Sequence, residues 1–194
     1  MQINAADLDE IASACAGDPG ALRAVARRSL PQVVEWCARL GGPAVDAEDA
    51  AHDVMIVVFT RLGTLREAQH YWAWLFGVTR RVLAQHRRRA WVRRRLPWLG
   101  NDIVSAAPGP HEDAERSDLT FRIRTVLEDL SERHREVLVL SDVEERSESE
   151  IADLLRIPVG TVRSRVYRAR KAFVAAAARH HLPLISVGIA EDMP

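Results

Sequence analysis

The chain has 194 residues, 47% of them hydrophobic and 28% charged, with 27 basic side chains balanced by 27 acidic ones. This composition excludes a disordered chain, and the longest apolar runs, Val54–Phe59 and Ala172–Ala178, fall far short of the roughly 18 residues of a membrane span. Two cysteines, Cys15 and Cys37, exclude a disulfide framework or a four-ligand zinc site and are expected to be reduced packing residues.

The zero net charge hides an uneven distribution. Residues 1–100 carry 14 Arg against 10 acids, and no acid lies between Glu67 and Asp102. Residues 112–153 reverse this, with 14 acids against six Arg, a net charge of −8. Arg156–Arg179 then carries seven bases and no acid. Two acid-free basic stretches predict two contacts with a polyanion. The first 22 residues lack Lys and Arg, which argues against a secretory signal and for a cytoplasmic protein without membrane insertion.

In chain order, Asn4 is placed to cap a helix that ends before Gly17. Asp18-Pro19 offers an N-cap and a first-turn proline for the next, with Leu22, Val25 and Ala26 inward. Pro31 kinks that helix or opens another carrying Val33, Val34, Cys37 and Leu40, which Gly41-Gly42-Pro43 stops. Asp46 caps a helix whose inward face is Ala51, Val54, Met55, Val58 and Leu62. After a loop over Gly63–His70, a helix from Tyr71 to about Arg95 turns Trp72, Leu75, Phe76, Val78 and Val82 inward. Residues 96–117 contain three Pro and two Gly and read as a linker. Leu119–Leu130 predicts a short amphipathic helix, and Ser131 starts another with Val137, Leu138 and Leu140. Ser147-Glu148-Ser149-Glu150 is a capping box for a third, with Ile151, Leu154 and Leu155. Ile157–Gly160 predicts a turn, and Thr161 a fourth helix with Val162, Val166, Ala169 and Phe173 inward. The expected fold is all-α, with two small helical domains joined by a flexible linker. They span 1–95 and 118–182, the second a helix-turn-helix, with the linker at 96–117 and a tail at 183–194.

Three surfaces carry chemistry. The helix from Thr161 presents Ser164, Tyr167, Arg168 and Lys171 opposite its apolar face, flanked by Thr161, Arg163, Arg165 and Arg170. Arginine pairs bidentately with guanine or phosphate, so this is a major-groove reading helix. In the first basic stretch, Tyr71, Trp72 and Trp74 precede Arg80, Arg81, Gln85, Arg87–Arg89 and Arg93–Arg95. Aromatic faces beside arginines suit unpaired bases. The helix after Asp46 turns Glu48, Asp49, His52 and Asp53 outward beside Ile56 and Val57. A metal there lacks a matching ligand cluster on a second helix, and the exposed apolar pair favours protein docking. No metal or cofactor is expected.

Three stretches resemble bacterial RNA polymerase sigma factors of the extracytoplasmic-function (ECF) group. Asp46–Phe59 is similar to the family's polymerase-binding helix. Trp74-Leu-Phe-Gly-Val-Thr-Arg-Arg81, with the arginines after it, is similar to its promoter-opening helix. Leu130–Leu138, Ser149–Ala152 and Pro158–Arg165 with Arg168-Ala-Arg170 are similar to its C-terminal helix-turn-helix. The resemblance implies that Asp49, His52, Asp53 and Ile56 bind core RNA polymerase. It places Tyr71, Trp72, Arg80, Arg81, Gln85, Arg87 and Arg88 on the −10 element of promoter DNA. It places Thr161, Arg163, Ser164, Arg165, Tyr167, Arg168 and Lys171 on the −35 duplex. It also implies an anti-sigma protein as a partner. His52 stands where Gln is usual in the family. Arg81 stands where the family usually has Asn, and Gln85 where it often has Asp, which points to an unusual −10 preference. Two other readings are a stand-alone helix-turn-helix regulator, for which no dimer seam is evident, and an enzyme, for which no nucleophile motif or phosphate loop is present. No catalytic residue is assigned.

Overall fold

A computed structural model describes residues 5–95 and 114–182, and these are helical, with no strand among the described residues. The predicted cap at Asn4, most of the linker and the tail from 183 lie outside the described residues. In the N-terminal unit, α1 spans Ala5–Cys15, α2 Pro19–Leu40, α3 Ala47–Arg61 and α4 Tyr71–Arg95. The connection from α3 to α4 contains two 3-10 turns, Leu62–Thr64 and Ala68–His70. In the C-terminal unit, α5 spans Ala114–Glu128, α6 Glu132–Leu138, α7 Glu148–Leu155 and α8 Val159–Arg179.

The helix starts follow from their caps. Asp18 Oδ1 accepts from Ala21 N at 2.6 Å, and Pro19 occupies the first helical position. Asp46 Oδ1 accepts from Glu48 N at 2.9 Å and Asp49 N at 3.0 Å. Ser147 and Glu150 form the reciprocal capping box at α7. Ser147→Ala removes one arm of that box and is expected to destabilise the domain by about 1 kcal/mol. Urea unfolding of the full chain reads this directly, and an unchanged midpoint would contradict it.

Pro31 neither ends α2 nor starts a new helix. Proline forfeits a single hydrogen bond, to the carbonyl of Arg27. Arg27 is exposed, so water can satisfy that carbonyl, while Val25 and Ala26 before the proline and Val33, Trp36 and Cys37 after it are buried in one core. The reading helix also begins earlier than the sequence suggests. The carbonyl of Pro158 accepts from Thr161 N at 2.8 Å and Val162 N at 3.1 Å, so Val159 and Gly160 form the first turn of α8 and not a preceding loop. Likewise α5 opens at Ala114, inside the stretch read as linker.

The buried core is aliphatic with a few aromatic anchors, and it runs through both units. Trp36, absent from the predicted core, is fully buried. It packs edge-on against Phe76 at 4.9 Å and Trp72 at 6.2 Å, geometries that favour ring quadrupoles. In the C-terminal unit Phe173, Val162 and Ala169 of α8 meet Val137, Leu140 and Ile151. A π-helical turn over Val139–Val143 prolongs α6, and Arg156 closes α7 in the left-handed region at φ 53°. Leu182 is buried, and Arg122 Nη2 donates to the carbonyl of His181 at 2.8 Å, so the end of α8 folds back on α5.

Candidate nucleic-acid interface

The α7–turn–α8 unit fixes the reading face by burying the opposite one. Val162, Ala169 and Phe173 are buried, so Arg163, Tyr167, Arg168 and Lys171 stand exposed. Thr161, Ser164 and Arg165 are half-buried at its edge. Arg163 forms a forked pair with Glu148, Nε–Oε1 3.1 Å and Nη2–Oε2 2.8 Å. That hydrogen bonding holds the Glu148 carboxyl below its ordinary pKa. Ser164 Oγ donates back to the carbonyl of Thr161, and Arg168 Nε to the carbonyl of Ser164. The Lys171 ammonium lies 4.6 Å from the centre of the Tyr167 ring. Arg170, a predicted flank of this face, instead pairs with Asp142 through two bonds of 3.0 and 3.1 Å and ties α8 to the π-turn.

Along α4 the predicted residues divide. Arg81, Gln85 and Arg88 are exposed. Trp72 is half-buried against Trp36, and Trp74 stacks on Tyr71 at 6.2 Å. Tyr71 itself lies in the core, 1% exposed, and not on the predicted stacking surface. Its hydroxyl meets Ser29 Oγ at 2.7 Å, and burial pushes the phenol up to about 12. Arg80 and Arg87 are half-buried, engaged by Glu136 and Glu132 respectively. The far end of α4 carries an exposed Trp91 with the Arg95 guanidinium 4.4 Å above it.

The five predicted inward residues, four on α3 and Leu62 just past its end, are buried, which turns Asp49, His52 and Ile56 outward in one row. Val57, predicted outward, is half-buried against the core. Phe59, 50% exposed, extends the row beyond Ile56 and was missed by sequence reasoning, although positions 52, 56 and 59 share a helical face. Asp53 Oδ2 lies 2.9 Å from His86 Nε2, which joins this helix to α4. Among the described residues no group of His, Cys, Asp or Glu could hold a metal ion, and no helix is long and apolar enough to cross a membrane.

The architecture is that of a two-part sigma factor. A Sigma-70 region 2 model matches residues 25–93, and a Sigma-70 region 4 model matches residues 120–173. The chain is 33% identical over 169 residues to the ECF RNA polymerase sigma factor SigD of Mycobacterium tuberculosis, covering 82% of this chain and 78% of that protein. It is 24% identical to SigW of Bacillus subtilis, with 80% and 88% covered. Among solved structures it superposes on CnrH, in complex with the cytosolic domain of CnrY, at a TM-score of 0.63 and 22% identity, covering 90% and 98%. On the sigma factor RpoE, in complex with the anti-sigma factor NepR from Bartonella quintana, the TM-score is 0.50 at 21% identity, covering 78% and 96%. The chain belongs to the ECF RNA polymerase sigma factor family, and it directs transcription initiation.

Proposed function

We propose that the two helical units divide promoter recognition between them, with residues 1–95 and 118–182 as separate modules. In this reading α8 enters the major groove of the −35 element, with Arg163, Arg168 and Lys171 as the leading contacts and Thr161, Ser164, Arg165 and Tyr167 around them. Arg81, Gln85 and Arg88 of α4, with Trp72 and the partly engaged Arg80 and Arg87, take the opened −10 strand. The α3 row of Asp49, His52, Asp53, Ile56 and Phe59 docks on core polymerase. The observation that carries the proposal is the presence on one chain of two separate basic faces plus an acidic-apolar one. A stand-alone regulator needs only α8 and leaves the other two unused.

The chain then supplies specificity and no catalysis, and works in the cytoplasm. Solved relatives occur with partner proteins, CnrY and the anti-sigma factor NepR, and a partner of that kind is part of the proposal. The test is transcription from fragmented genomic DNA with purified protein and sigma-free core polymerase, with mapped 5′ ends. On a promoter found in this way, Arg163→Ala is expected to lower initiation roughly tenfold, in line with about 1–3 kcal/mol for a good base contact. Arg179→Ala is expected to change little, because Arg179 pairs with Asp129 at the far end of α8. Equal losses from both variants would refute the assigned face.

A further inference from the structure

Arg156–Arg179 contains no acid, yet the fold brings two carboxylates to α8 from outside it. Asp142 takes Arg170 in a partly buried pair that joins α8 to the π-turn. Glu148 takes Arg163 in solvent, where the two side chains are 41% and 75% exposed. An exposed ion pair adds little to fold stability, and a carboxylate on a DNA-reading face repels phosphate. Neither stability nor affinity therefore accounts for Glu148. We infer that Glu148 is a positioning residue for promoter reading, which holds the Arg163 guanidinium end-on toward a guanine of the −35 element. This role rests on the reading of α8 as the −35 helix.

The hydrogen bonds leave the right donors for a base. Arginine has five N–H groups. The fork to Glu148 uses Nε, at 3.1 Å, and one hydrogen of Nη2, at 2.8 Å. Both Nη1 hydrogens and the second of Nη2 remain, and one from each nitrogen points away along the side-chain axis. That outward pair matches O6 and N7 of guanine. Glu148 thus occupies the side edge of the guanidinium and leaves its end edge to the base. Arg163 lies near the start of α8, which opens at Val159, and the N-terminal residues of the second helix are those that contact base edges in a helix-turn-helix. Glu148 is itself fixed in place as the first residue of α7, directly after the Ser147 cap. Glu150 accepts from the Ser147 backbone N–H and hydroxyl. The two acids of the box therefore have separate tasks: Glu150 fixes the helix start, and Glu148 fixes the arginine.

The pairing exchanges affinity for discrimination. An unpaired arginine attracts the phosphates of any sequence. An arginine held by a carboxylate offers little net charge to the backbone, but it keeps directed donors that a base edge must match. Fixing a long side chain before binding also removes an ordering cost that the complex would otherwise bear. Arg168 and Lys171, on the same face, lean on neutral groups, the Ser164 carbonyl and the Tyr167 ring. Those contacts leave their charge available to phosphate, so affinity and discrimination fall to different side chains of one helix.

The test uses the full chain with core polymerase on a mapped promoter whose −35 positions are replaced one base at a time. Wild type, Glu148→Ala, Arg163→Ala and the double variant are compared by base preference, the ratio of initiation on the native base to that on each substitute. Arg163→Ala is expected to flatten the preference for one guanine roughly tenfold. Glu148→Ala is expected to flatten it at the same position about fourfold, the loss of preorganisation without loss of the contact. The double variant is expected to lose no more than Arg163→Ala alone. On duplex lacking a −35 element, Glu148→Ala should bind more tightly at low salt, with a salt slope steeper by about one. Asp153→Ala, also exposed on α7, controls for a lost charge. Unchanged preferences in Glu148→Ala, or in Arg163→Ala, overturn the positioning role. A gain shared by every −35 sequence and matched by Asp153→Ala reduces Glu148 to simple repulsion and overturns it too. So does a preference lost at a position that Arg163→Ala leaves intact, which would make Glu148 a direct acceptor from cytosine N4. The reading of α8 fails separately, if Arg163→Ala and an Arg168→Ala, Lys171→Ala variant both keep every −35 preference.

Discussion

Phe173→Ala is expected to unfold the C-terminal domain at temperatures where the rest of the chain still stands. Phe173 is 1% exposed and is the largest buried side chain of α8. Around it α6, α7 and α8 converge on Val137, Leu140, Ile151 and Val162. Removing a buried phenylalanine costs about 3–5 kcal/mol, the transfer loss plus the cavity. A domain of this size holds a total of only about 5 kcal/mol. At about 4–8 °C per kcal/mol, its thermal transition should fall by about 12 °C or more. Phe121→Ala, on the exposed side of α5 at 57% exposure, should shift it by at most a few degrees. Scanning calorimetry of the two variants separates the cases, and similar shifts would mean that the core is not organised around Phe173.

The second large effect belongs to α3. Ile56→Asp is expected to weaken core polymerase binding by about thirtyfold or more, the loss of roughly 2 kcal/mol typical of an interface anchor. Its side chain is 48% exposed, beside the similarly exposed Phe59. The buried face of the helix, Ala51, Val54, Met55, Val58, is untouched by the change, so the melting curve should not move. Competition binding with labelled core polymerase measures the loss directly. Full affinity with an unchanged fold would remove α3 from the docking surface.

Local chemistry in this chain is legible, and long-range pairing is not. The caps at Asp18, Asp46 and Ser147 are written within four residues of themselves, and the structure uses all three. The helical period picks out the cores of α3 and α8. Tyr71 shows the limit. An aromatic residue ahead of an arginine run looks like a stacking surface, yet its partner Ser29 lies 42 positions away. Pro31 looks like a break because its lost hydrogen bond is local, whereas the burial that carries α2 through it comes from α1, α3 and α4. The arginines divide in the same way. Arg80, Arg87 and Arg170 read as solvated or DNA-facing until acids 56, 45 and 28 positions away are brought to them. The sequence does show the charge blocks that make such pairing favourable, and it does not show which members of each block meet.

The most direct test of the division of labour is cleavage of promoter DNA from reagents tethered to the two faces. An iron chelate is attached in turn at Arg88→Cys on α4 and at Lys171→Cys on α8, in a chain carrying Cys15→Ser. Each labelled protein is assembled with core polymerase on a mapped promoter. The account predicts two separate sets of cuts, near the −10 element from position 88 and near the −35 element from position 171. Cuts at one shared element from both positions, or none from position 88 in a complex that initiates transcription, would contradict it.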